Sequence, residues 1–136
     1  MLIEWTSNYS VENEKIDAQH QKLFDIVNRL HAAMTEKKGI DAVNSTLKEL
    51  ESYAAEHFQT EEILMKQNGY PDYPSHKQEH DEFIEKIEDL KKKFEKQKET
   101  YTVPIETWIF LKNWLNQHIM GTDKQYVPFF QEKGIQ

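Results

Sequence analysis

IDAQHQKLFDIVNRLHAAM, residues 16–34, spaces Ile16, His20, Leu23, Val27, Leu30 and Met34 at steps of four and three. That spacing is one face of a helix. Three further segments repeat it. The second carries Ile40, Val43, Leu47, Leu50, Ala54, His57, Glu61 and Leu64. The third carries His76, His80, Phe83, Ile87, Leu90 and Phe94, and the fourth Ile105, Trp108, Leu111, Leu115 and His118. The breaks agree with four helices. KKG at 37–39 ends in glycine and predicts a helix stop there. NGYPDYPS at 68–75 is a proline- and glycine-rich connection, and ETYTVP at 99–104 puts Pro104 in the first turn of the fourth helix, where a missing N–H is harmless. VPFF from Val127 begins a tail. Short connections make neighbouring helices antiparallel. The expected fold is all-α, an antiparallel up-down-up-down four-helix bundle. An N-terminal arm with Ile3, Trp5 and Tyr9 packs on its outside.

The bulk composition agrees with this. A chain of 136 residues suits a single domain, here 1–136, with one core. Its 24 acidic against 17 basic residues give a net charge of -7, which argues against nucleic acid and anionic membranes as partners. The lysine-rich run at 85–99 carries its own apolar stripe and is read as a solvated helix back. There is no cysteine, hence no disulfide, thiolate nucleophile or thiolate metal site. The first residues, MLIEWTSNYSVENE, have no basic start and no long apolar run, so neither a secretory signal nor a membrane anchor is expected. A cytoplasmic location and a monomer follow as expectations, the latter because no long exposed apolar face remains.

The stripes are not wholly apolar. His20, His57, Glu61, His76, His80 and His118 stand where core residues belong, and such groups are costly to bury alone. The sixth histidine, His31, falls one residue after a stripe position, at the helix flank. Taken singly, each stripe histidine is ordinary. Taken together they converge: His20 lies near the start of its helix, His57 and Glu61 near the end of theirs, His76 and His80 at a start, and His118 at an end. Up-down-up-down packing puts those positions at one pole of the bundle. Metal ions would satisfy the ring nitrogens and neutralise the carboxylates. Five histidines are too many for one ion, so two are expected. Asp123 and Glu61 could each bridge them. With a bridging oxide or hydroxide, the donors leave one position of an octahedral pair open to a small ligand.

Asp123 raises a local problem. In HIMGTD, 118–123, five residues separate it from His118, about 140° around a regular helix at about 100° per residue. If both reach one ion, the segment must make a π-type i to i+5 turn. Gly121 would ease that change.

These residues, in IDAQHQKLF, HFQTEE, HKQEH and HIMGTDKQY, resemble the hemerythrin family, specifically its single-domain bacterial members, and the likeness runs from EWTSNYSV to YVPFF. The resemblance implies two non-haem iron ions and reversible dioxygen binding, for oxygen storage, delivery or transport. It implies that His76, His80 and His118 hold one iron, that His20 and His57 hold the iron with the open position, and that Glu61 and Asp123 bridge. It also implies an apolar dioxygen pocket at Leu23, Phe83, Trp114, Leu115 and Ile119. Thr122 stands where some members carry an apolar side chain, and Tyr126 could donate a hydrogen bond from behind the ligands. Alternatives are sensing of dioxygen, redox state or nitric oxide, or iron handling, by the same site. An oxygen-activating di-iron enzyme is a weaker rival, because no histidine here has glutamate three residues before it, as the Glu-x-x-His pairs of such enzymes require. A zinc hydrolase lacks its His-Glu-x-x-His motif, and a purely structural bundle leaves the polar cluster unexplained.

Overall fold

The computed structural model describes residues 3–96 and 102–135. Helix α1 is Glu14–Thr35, α2 Gly39–Gln67, α3 Tyr73–Lys96 and α4 Thr102–Trp114. A π-helical segment, Leu115–Thr122, continues α4, followed by a 3-10 turn at Asp123–Tyr126 and a short helix α5 at Val127–Glu132. Helix α1 packs on α2, α2 on α3, α3 on α4 and α4 on α1, which closes the expected four-helix bundle. Residues 97–101, with the end of the charged run and the start of ETYTVP, lie outside the described residues. No helix among the described residues is long and apolar enough to cross a membrane.

The ends of the helices follow from their sequences. Asn13 caps α1 by accepting a hydrogen bond from the Ile16 N–H at 3.0 Å. Asp17 then ties the arm down, accepting from the Ser10 hydroxyl (2.6 Å) and the Val11 N–H (2.9 Å). Further out, Asn28 pairs with both backbone groups of Ile3, while Trp5 and Tyr9 set their rings edge-on to Phe24. The arm therefore lies along α1, as expected. Helix α2 ends in a Schellman turn at Gly69, φ +70°, with Tyr70 N–H donating to Met65 and Gly69 N–H to Lys66. Helix α1 ends in the same way, but its left-handed residue is Lys37, φ +61°. Gly39 is thus not the stop predicted for it. It opens α2, where a Cβ would come within 2.9 Å of Met34 Cγ and 3.3 Å of Pro104 Cβ. Its value there is the close approach of three helices.

Two other expectations are corrected. The buried face of α4 is Val103, Thr107, Leu111 and Trp114, not the stripe through Ile105 and Trp108. Thr107 can be buried because its hydroxyl donates to the Val103 carbonyl at 2.8 Å. The rotation turns Ile105 and Ile109 outward, each nearly half exposed, and leaves Trp108 half-buried against His31 at the helix flank. VPFF is not a loose tail either. Pro128 stands in the first turn of α5, which buries Phe130.

The core has two parts. One fills the bundle and includes Leu23, Phe58, Phe83, Leu115 and Ile119. The other closes one end with Val11, Ile16, Met65, Tyr70, Tyr126 and Phe130. Along α1 and α2, and through the segment after α4, the polar stripe residues fall between these two apolar layers.

Candidate metal centre

All seven residues are buried, none more than 1 % exposed. Helix periodicity brings His57 with Glu61, and His76 with His80, to one face each. Asp123 arrives by the anticipated irregularity: its N–H donates to the carbonyl of His118, an i to i+5 bond at the end of the π segment. Gly121 contributes less than expected. A Cβ there would meet nothing within 4 Å, and its φ is not positive. The register shift is imposed by what Asp123 and His118 reach, not by a permissive glycine.

The seven side chains form two sets that could each hold an ion. Glu61, His76, His80, His118 and Asp123 make one; His20, His57, Glu61 and Asp123 make the other. In each, the donor atoms lie within 4.8 Å of one another, and the two carboxylates are common to both. Asp123 spans the sets with separate oxygens. Its Oδ1 is 2.9 Å from His76 Nε2 and 3.0 Å from His118 Nε2, and its Oδ2 is 3.1 Å from His20 Nε2. Glu61 spans them with one oxygen, Oε1, at 3.0 Å from His57 Nε2 and 3.3 Å from His80 Nε2. Its other oxygen, Oε2, accepts the Tyr126 hydroxyl proton at 2.5 Å.

Behind these seven side chains stand residues the sequence did not single out. Gln19 Oε1 accepts from His57 Nδ1 at 2.7 Å, Glu62 from His80 Nδ1 at 2.9 Å, and Glu79 from His118 Nδ1 at 2.9 Å. These bonds fix which ring nitrogen faces inward. Thr122 does not intrude as a polar group in the apolar layer: its hydroxyl donates to Glu79 at 2.8 Å. The missed carboxylates had a signal. Glu62 directly follows Glu61 and Glu79 directly precedes His80. Four rings are also stacked by aromatics: His57 by Tyr53, His76 by Tyr126, His80 by Phe58 (3.9 Å, 2°) and His118 by Trp114 (4.0 Å, 12°). Leu23, Phe83, Trp114, Leu115 and Ile119 all belong to the apolar layer on the bundle side.

The electrostatics are those of a cation site. Burial pushes Asp123 and Glu61 up, yet the surrounding imidazoles hold both below the ordinary carboxylate range, His118 chiefly for Asp123 and His57 for Glu61. Burial opposes charge on His118, but Asp123, then Glu79 and Glu61, push it up to about 10. His80 rises for the same reason through Glu61 and Glu62, whereas burial prevails at His57 and lowers it. Burial and then the two carboxylates raise Tyr126 and Tyr53. Even so, His20 and His76 leave both ring nitrogens without a hydrogen-bond partner, as do Nε2 of His80 and His118, both Asp123 oxygens and Glu61 Oε1. So many orphaned buried atoms, most of them within the two clusters, are not a satisfied polar core. The all-nitrogen and oxygen donor set fits a pair of iron ions.

Fold and site together define a class: a helical bundle that gathers histidines and two shared carboxylates at one pole to hold a pair of cations. Residues 11–130 match the family model for the hemerythrin HHE cation binding domain. A bacteriohemerythrin of Methylococcus capsulatus (strain ATCC 33009 / NCIMB 11132 / Bath) is 36 % identical over 129 residues, covering 93 % of this chain and 95 % of that one. A hemerythrin-like protein of Naegleria gruberi is 34 % identical over 122 residues, covering 90 % and 88 %. A solved structure of wild-type hemerythrin superposes with a TM-score of 0.81 at 33 % identity, covering 94 % and 97 %. The chain belongs to the hemerythrin family and is a di-iron, oxygen-binding protein.

Proposed function

We propose that residues 1–136 form a single di-iron domain that binds dioxygen reversibly, as a carrier or store and not as an enzyme. His76, His80 and His118 would hold one iron, His20 and His57 the other, with Glu61 and Asp123 available to both. The observation that carries this is the inequality of the two sets: five residues in one, four in the other, with both carboxylates in common. The poorer set, with His20 and His57, keeps a position for an external ligand. When bound, the irons supply the electrons and the open position that take up dioxygen and return it. The protein supplies the rest. Gln19, Glu62 and Glu79 orient rings, and Tyr126 holds Glu61 in place. Leu23, Phe83, Trp114, Leu115 and Ile119 form the pocket that excludes the water and protons that would make uptake irreversible.

The proposal extends to a cytoplasmic monomer. The absence of cysteine agrees with a reducing compartment. The outward pair Ile105 and Ile109 spans only one turn of α4. Light scattering tests the monomer directly. For the central claim, the reduced, iron-loaded protein is exposed to dioxygen and then purged. A visible absorption that appears and disappears with the gas supports the carrier. Immediate, irreversible oxidation defeats it, and failure to load about two irons per chain removes the di-iron assignment.

A further inference from the structure

Tyr53 lies one turn before His57 on α2 and is 6 % exposed. Its ring stacks on the His57 imidazole, with centroids 5.1 Å apart and planes 20° from parallel. Yet its phenolic oxygen is buried and has no hydrogen-bond partner among the described residues. A buried hydroxyl without a partner is destabilising, and tyrosine is normally placed inside where its O–H reaches an acceptor. Tyr53 shares a face of α2 with His57, whose Nε2 is 3.0 Å from Glu61 Oε1. Tyr53, His57 and Gln19 also line a cleft of about 440 Å³ between α1 and α2. These three buried residues thus stand between the cleft and the His57 side of the centre.

Two other buried groups were candidates for the same role. The Trp114 indole N–H also has no partner, but Trp114 stacks on His118, in the five-residue set. The Tyr126 hydroxyl is already given to Glu61. Among the described residues, Tyr53 alone joins an unused donor to a histidine of the four-residue set.

We propose that the Tyr53 hydroxyl donates a hydrogen bond to the small, negatively polarised ligand held at the His20–His57 side of the centre, and so sets its affinity and residence time. No proton is transferred; the O–H donates and the ligand accepts. This rests on the di-iron reading above.

The test compares the wild-type chain with Tyr53→Phe, using azide as the probe. In the iron-loaded diferric protein the variant is expected to bind azide about ten- to a hundredfold more weakly, the range for losing one hydrogen bond to a charged group. The infrared stretch of bound azide should shift between H2O and D2O in the wild type and lose that shift in the variant. In the metal-free protein the denaturation midpoint of Tyr53→Phe should equal or exceed that of the wild type, because no protein partner is lost. Equal azide affinity, an isotope shift kept in the variant, or a lowered metal-free midpoint would each overturn the assignment. Wild-type protein that takes up neither iron nor azide would instead overturn the di-iron reading.

Discussion

Removing one oxygen atom, by Tyr126→Phe, should test how the pole is held. The Tyr126 hydroxyl donates to Glu61 Oε2 at 2.5 Å, and both side chains are fully buried. Phenylalanine keeps the ring that stacks on His76 and on Phe130. The loss is therefore confined to one hydrogen bond to a buried carboxylate, about 1.5–3 kcal/mol. The small void adds roughly 0.3 kcal/mol at about 24 cal/mol per Å³. The expected destabilisation of the metal-free protein is about 2–3 kcal/mol, a fall in Tm of roughly 5–15 °C for a chain this size. Urea denaturation gives the number, and Glu61→Gln completes a double-mutant cycle. Because the variant's cost arises through the Glu61 charge, the two changes should couple by about 1.5 kcal/mol or more. A coupling below about 0.5 kcal/mol would show that the hydroxyl is not stabilising the carboxylate, and the reasoning would fail.

Other outcomes follow from the same geometry. Chelating the iron should lower Tm, since binding to the folded state alone adds about 2.7 kcal/mol at a hundredfold excess over Kd, and unchanged melting would mean that the pole is satisfied without metal. Glu61→Ala should cut metal content well below two irons per chain by elemental analysis; normal loading would remove Glu61 from the bridge. Deleting Met120, which is exposed in the π segment, should leave Asp123 four residues after His118, on the same face of a regular α-helix. Helical circular dichroism and iron uptake should then both persist, and lost uptake would show that the π geometry itself is required.

Much of this was legible in the residues because two periodicities and one misfit carry it. Stripes at steps of three and four fix which faces of the first three helices turn inward, and the polar stripe members sit at alternating ends, which antiparallel packing brings together. The five-residue gap from His118 to Asp123 encodes the π segment. The phase of α4 was not legible, because Leu111 belongs equally to the stripe through Ile105 and to the one through Val103. The choice depends on contacts from outside the helix, such as Gly39 against Pro104. Helix α5 was missed because a helix of six residues, Val127–Glu132, is too short to show a periodicity. The residues behind the ligands were missed because Gln19, Glu62 and Glu79 look like ordinary solvated positions until the histidine beside each is known to be buried.

The pole draws its donors from positions 20 to 123, nearly the whole length of the chain, and α5 closes over it last in sequence. Each helix can form from local contacts, but the donor sets exist only when all four helices have docked in register. Metal capture would therefore depend on completed docking. A chain with a slipped helix or an unclosed C-terminus cannot present both shared carboxylates. Iron taken up by a freshly made population would then mark only molecules whose helices have docked.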